Sequence, residues 1–152
     1  LGYNYRLPDI NCVLGLSQMR KLDGWLAQRR TIAARYTDAF AAMPAVETLS
    51  ILPHTEPAWH LFMIELNLAA LRVGRKEVFA ALRAENIGVN VHYIPVYWHP
   101  YYQDLGYKRG LCPVAEAAYE RLITLPMFPA MSDTDVEDVI MAVQKVTEAY
   151  AA

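Results

Sequence analysis

The chain has 152 residues, with 14 Lys and Arg against 16 Asp and Glu and a net charge of -2. At ~100–200 residues per domain this is one domain's worth of chain, long enough to bury roughly 70% of the surface its unfolded form exposes. The basic residues are scattered rather than gathered in the stripe that phosphate-backbone binding needs, which argues against a nucleic-acid partner. No apolar run approaches the ~20 residues of a membrane span and no signal peptide opens the chain, so a soluble, cytoplasmic protein is expected.

In chain order, GYNYRLPDIN (Gly2–Asn11) places tyrosines, Asn4 and Arg6 before Pro8, a natural first helical residue. Leu16, Met19, Leu22, Leu26, Ala33, Tyr36 and Phe40 then recur at helical spacing. A single amphipathic helix running to Pro44 would reach ~50 Å, a strut that connects to something else; a break at Gly15 or Gly24 would give two shorter helices instead. WHLFMIEL (Trp59–Leu66) reads as a strand with His60, Phe62, Ile64 and Leu66 on one face. RKEVFAALRAEN (Arg75–Asn86) reads as a helix buried through Val78, Phe79 and Leu82 and closed by Ile87-Gly88, and VNVHYI (Val89–Ile94) as a second strand.

From Pro95 to Gly110 the composition turns to aromatics, His, Pro and Gly, an irregular loop. Pro113 starts a short helix with Val114, Ala117, Ala118 and Leu122 inward, followed by a brief Ile123–Leu125 strand. Ser132 and Asp135 form a capping-box-like pair ahead of Val136, Val139, Ile140, Val143 and Val146. The expected fold is α/β, an α+β sandwich: a long opening helix region (1–44) and a small domain (45–152) with a sheet of three or four strands.

The residues alone supply no catalytic centre. The chain lacks a glycine-rich phosphate loop, HExxH, CxxC and GxSxG. Cys12 and Cys112 lie far apart and read as structural, reduced thiols. His54, His60, His92 and His99 have no metal-ligand spacing, so no metal is expected. Lys21, Lys76 and Lys145 sit on expected helices among polar neighbours and Lys108 in an exposed Gly-Tyr-Lys-Arg-Gly turn, so none has the desolvated setting that imine chemistry needs.

GYNYRLPDINCVLGLSQMRKLD (Gly2–Asp23) resembles the segment that opens the small domain in the DegT/DnrJ/EryC1/StrS family of pyridoxal-phosphate-dependent aminotransferases, which act on nucleotide-linked keto-sugars. The resemblance continues through WHLF, GVNVHYIPVYWHPYYQDLGY, CPVAEAAYERLITLPMFP and SDTDVEDVIMAV, in order, over nearly the whole chain. The HYIPVYWHPYY version is most similar to members that aminate UDP-4-keto-6-deoxy sugars on the way to pseudaminic acid.

The resemblance implies pyridoxal 5'-phosphate as cofactor, glutamate as amino donor, a nucleotide-sugar acceptor and a homodimer. It also implies a C-terminal fragment, inactive alone, because the lysine that holds the cofactor belongs to a domain upstream of this motif. Asn4 matches the asparagine that reaches the cofactor phosphate of the neighbouring subunit; on the residues alone it is a turn residue capping nearby backbone. Arg6 matches the arginine near the amino donor's carboxylate, or else a surface arginine at a helix start. Tyr3 and Tyr5 frame the site as packing residues.

His92 and Tyr93 match the HY of the substrate-side loop. On a strand at most one of them aims into the cleft, and a half-buried core role is the alternative for either. Trp59 and His60 line the same cleft or pack in the core. Where many members carry His this chain has Tyr97, which leaves position 97 without an implied role and His99 as its neighbour. A reading from another class stays open: a non-catalytic interaction or oligomerisation module built on the same small domain.

Overall fold

A computed structural model describes residues 2–152. Residues 2–8 are irregular and lead into α1 (Asp9–Met19), followed by α2 (Leu22–Phe40). The opening helix region is thus two helices, and the break falls at Arg20–Lys21 rather than at either glycine. There the Lys21 amide tightens onto Gln18 O at 3.0 Å, and Trp25 bonds back to Lys21 O at 3.1 Å. The two helices differ in what they cover. No residue of α1 is buried, whereas α2 buries Ile32, Ala33, Tyr36 and Phe40. Of the expected stripe, Leu16, Met19 and Leu22 are exposed and Leu26 is half-buried.

The sheet is antiparallel with order β1 (Val46–Thr48), β2 (Phe62–Leu66), β3 (Leu122–Leu125). On β2, Phe62, Ile64 and Leu66 face the core, the alternation that the sequence shows. The strand starts later than expected because Trp59 sits at φ 51°, a left-handed conformation that interrupts extended chain. Segment 89–94 is not a strand: it makes a single bridge, Asn90 to Thr124. The Asn90 side chain accepts from the Val91 amide at 2.8 Å, so a local bond takes a donor that a ladder would use.

Short 3-10 turns cover Leu68–Ala70 and Val96–Trp98. Helix α3 (Arg75–Ala84) buries Val78 and Leu82, with Phe79 half-buried. Its end is set by Asn86, not by Gly88. Asn86 takes φ 63°, its amide bonds Arg83 O at 3.1 Å, and Ile87 N reaches Leu82 O at 3.0 Å. This is a Schellman motif, with buried Ile87 over buried Leu82. The aromatic loop contains α4 (Pro100–Asp104), and α5 (Pro113–Arg121) follows. On α5, Ala118 is half-buried as expected, but Val114 and Ala117 are exposed, and Glu116 and Tyr119 turn inward in their place.

The last helix, α6 (Asp133–Ala149), starts with a complete capping box. Ser132 Oγ accepts from Asp135 N at 3.1 Å while Asp135 Oδ2 accepts from Ser132 N at 2.7 Å. Those bonds to the Ser132 amide and hydroxyl hold the Asp135 carboxyl below the usual carboxylate range. Val136, Val139, Ile140, Val143 and Val146 are all buried.

One core gathers α2, α3, α6 and the inner face of the sheet. Its centre is aromatic: the Tyr36 ring lies 5.6 Å from Phe40 and 5.1 Å from Phe62. The Tyr36 hydroxyl donates to Pro126 O at 2.9 Å, and burial pushes that phenol well above its ordinary pKa. On the other face of β2, Glu65 pairs with Arg121 at 2.7 Å. Among the described residues no helix is long and apolar enough to cross a membrane.

Because Ile64 is fully buried, Ile64→Ala should cost about 2–5 kcal/mol of unfolding free energy. Leu16, 57% exposed on α1, should tolerate Ala within about 0.5 kcal/mol. Urea midpoints compare the two; equal losses would show α1 packed as tightly as the sheet.

Candidate functional site

Asn4 and Arg6 lie in the exposed opening segment, outside the core. Arg6 Nε donates to Asn4 Oδ1 at 2.8 Å, which leaves the Asn4 amide N–H groups and both terminal Arg6 nitrogens without a partner among the described residues. Tyr3 and Tyr5 stack on each other with ring centroids 5.3 Å apart and are otherwise open to solvent, so they pack against no part of the core.

His92 is half-buried, and its Nδ1 lies 2.9 Å from the hydroxyl of buried Thr124 on β3. That bond orients the imidazole. Tyr93 is 73% exposed, the peptide between the two residues is cis, and their rings meet edge to face at 4.5 Å. The pair therefore shares one location rather than opposite faces of a strand.

His60 is exposed at the mouth of a cleft of about 470 Å³ that Leu22, Trp25, Arg29 and Phe128 also line. Arg29 builds this cleft. Its Nη1 lies 2.9 Å from Trp59 O, 3.2 Å from His60 O and 3.2 Å from Met127 O, joining α2 to the entry of β2 and the exit of β3. Sequence reasoning passed over Arg29 because its partners are backbone atoms 30 to 98 residues away.

Position 97 has a clear use. Tyr97 Oη donates to Glu116 Oε1 at 2.5 Å, the Gly110 amide donates to the same oxygen at 2.7 Å, and Cys112 N donates to Tyr97 Oη at 3.3 Å. The aromatic segment after His92–Tyr93 is thereby latched to the start of α5. Desolvation and the bond to Glu116 push the Tyr97 phenol up to about 12. The Tyr97 hydroxyl, helped by the Gly110 amide, holds the Glu116 carboxyl below its usual range.

All four lysines are exposed, as the sequence suggests; Lys21 lies over the Trp25 ring and Lys145 pairs with Glu85 at 2.8 Å. Cys12 and Cys112 are free but exposed, so they are not buried structural thiols.

The pattern of the DegT/DnrJ/EryC1/StrS aminotransferase family matches residues 1–144. The spore coat polysaccharide biosynthesis protein SpsC of Bacillus subtilis is 41% identical over 149 residues, covering 97% of this chain and 38% of SpsC. Helicobacter pylori PseC, an aminotransferase involved in the biosynthesis of pseudoaminic acid, superposes with a TM-score of 0.88 at 29% identity, over 99% of this chain and 40% of PseC. The PLP-form of Spr1654 from Streptococcus pneumoniae, a putative sugar aminotransferase, gives 0.86 at 31% identity, over 95% and 36%. The chain thus spans about two fifths of the length of the relatives it matches.

The latch predicts a pH signature. A depressed carboxyl stabilises the folded loop above the ordinary glutamate range and stops doing so as pH falls through its lowered value; a raised phenol holds until pH rises through about 12. Gly110 amide protection should therefore stay level from neutral pH down to the range where free glutamates protonate, and fall progressively below it. Glu116→Ala should speed Gly110 exchange by about tenfold or more across that level range. Amide exchange by NMR reads both, and unchanged Gly110 protection in the variant would show that Glu116 does not order the loop.

Proposed function

Because this chain belongs to the DegT/DnrJ/EryC1/StrS aminotransferase family, we propose that it is the small C-terminal part of a pyridoxal-phosphate-dependent sugar aminotransferase. The whole enzyme would take an amino group from glutamate and pass it to the 4-keto carbon of a nucleotide-linked, UDP-type deoxysugar. The family match and the sugar-pathway names of SpsC and PseC support this reading, and the likeness to PseC favours a sugar of the pseudaminic-acid type. The observation that carries it is the outward display of Asn4 and Arg6, joined at 2.8 Å on a segment that the core does not cover.

The residues present fit the cofactor in part. The free amide N–H of Asn4 suits a phosphate oxygen of the neighbouring subunit's cofactor in a homodimer. None of the four lysines has the desolvated setting that imine chemistry requires, so the anchoring lysine lies outside these residues and the 152-residue chain is inactive alone. When bound, pyridoxal phosphate supplies the electron sink for amino transfer.

What this chain adds is placement. Arg6 keeps two terminal nitrogens available for the two oxygens of the glutamate carboxylate, a forked geometry that a lysine cannot reproduce. His92, oriented through Nδ1 by Thr124, presents Nε2 to the sugar, where it donates to or accepts from a hydroxyl. Exposed Tyr93 offers a phenol beside it, and His60 stands at the mouth of the Arg29 cleft. The interaction-module reading keeps one favouring observation, the wholly uncovered α1.

The full-length protein, loaded with pyridoxal phosphate and mixed with glutamate, should show the absorbance change of the first half-reaction, reversed by a UDP-4-keto-6-deoxy sugar. Arg6→Gln should raise the glutamate KM roughly tenfold or more while sparing the sugar KM. A loaded protein that never responds to glutamate would favour the interaction module.

A further inference from the structure

The strap between α4 and α5 carries two neighbouring cations with no anion to meet them. Lys108 and Arg109, together with Gln103 and Tyr107, line an open cleft of about 390 Å³. Among the described residues neither cation makes an ion pair or a side-chain hydrogen bond. The nearest acid in sequence, Asp104, pairs with neither, and Glu116 already accepts from Tyr97 and Gly110. The main-chain amides of Lys108 and Arg109 also make no hydrogen bond among the described residues, so consecutive N–H donors accompany the side chains.

This corner is built rather than loose. The Arg109 guanidinium lies 3.9 Å from the centre of the Trp98 ring, and Trp98 is only 7% exposed. A guanidinium held over a buried indole loses little further freedom on binding, and its N–H donors here have no other partner among the described residues. Gln103 Nε2 is fixed on Trp98 O at 2.8 Å, and the Tyr107 amide on Tyr102 O at 3.1 Å. The strap turns through two left-handed glycines, Gly106 at φ 95° and Gly110 at φ 88°. Glu116 then ties its end down through the Gly110 amide.

We propose that Lys108 and Arg109, through their side chains and their two main-chain amides, form a subsite for the diphosphate of a nucleotide-linked ligand. The proposal deepens the nucleotide-sugar reading by assigning the charged part of the substrate to named residues. Two cations and adjacent amides suit a group with two linked phosphoryl centres better than a single phosphate, because each centre then finds its own donors. A diphosphate ester is the group common to UDP- and dTDP-linked sugars, so the subsite reads the linkage and leaves the sugar to other residues.

The test uses the 152-residue protein at low ionic strength, titrated calorimetrically with inorganic pyrophosphate, UDP and inorganic phosphate, with amide shifts followed by NMR. Expected is saturable one-to-one binding of pyrophosphate and UDP, with the largest shifts from Gly106 to Gly110. Lys108→Gln and Arg109→Gln should each weaken it about tenfold. Arg83→Gln, at the exposed end of α3, should leave it unchanged. Lys108 is exposed, so that variant decides the matter if Arg109→Gln fails to fold.

Binding that never saturates, or that Arg83→Gln weakens equally, would overturn the subsite. Phosphate binding as tightly as pyrophosphate would overturn the diphosphate assignment. The aminotransferase reading is separable: a full-length enzyme that transaminates while this chain ignores pyrophosphate removes the subsite and keeps the activity.

Discussion

The aromatic contact between α2 and β2 fixes the rest of the molecule. Tyr36, Phe40 and Phe62 occupy its centre within 5.1–6.4 Å of one another, and the Tyr36 hydroxyl reaches out of the core to Pro126 O. A buried hydroxyl must find a partner, and this one finds it just after β3. Two turns earlier on the same helix, Arg29 gathers the carbonyls of Trp59, His60 and Met127. One helix therefore sets both the start of the central strand and the chain leaving the edge strand. The cleft beside His60 exists because those ends are pinned together.

Beyond that helix the chain divides into two physical regimes. From Ile32 to Val146 the buried apolar residues other than Trp98 form one continuous cluster. From Gly2 to Leu22 every residue is exposed, although α1 carries Ile10, Val13, Leu14, Leu16 and Met19. A helix apolar on most of its circumference is a buried helix in a complete assembly. The segment that holds Asn4 and Arg6 is thus mounted on a strut whose own surface asks for cover, which fits a site completed by other residues. The proposed substrate side follows a different principle: His92 is steadied by Thr124, and the aromatic run after it is tied down through Tyr97 and Glu116. Local polar bonds order that loop where the core does not reach.

The sequence revealed most where local rules and core packing agree. Helix α6 was legible because Ser132 and Asp135 announce its start and five aliphatics follow at helical spacing, all of them buried. Strand β2 was legible through its alternation. Strand β1 was not, since three residues, Val46–Thr48, give too short a pattern to stand out. Residues 89–94 misled because their β-branched composition says strand, while the Asn90 side chain diverts a ladder donor. Asn86 ends α3 by taking a left-handed conformation, a role that a following glycine concealed. The proposed roles of Asn4, Arg6, His92 and Tyr93 rest on motif resemblance, since no residue pattern of their own points to them. Arg29 and Glu116 were invisible because their roles consist of contacts 6 to 98 residues away that no helix or strand period encodes.

The central claim is that the body of this chain supports itself while its opening strut waits for a surface from elsewhere. Hydrogen exchange with peptide-level readout tests it directly. Isolated helices below ~12–15 residues are marginal in water, and α1 has 11. In the 152-residue protein, Asp9–Met19 should exchange almost freely while Ile32–Phe40 and Val136–Val146 stay protected; joined to the proposed cofactor domain, Asp9–Met19 should become protected too. Protection of Asp9–Met19 in the short chain as strong as that of α2 would contradict the account.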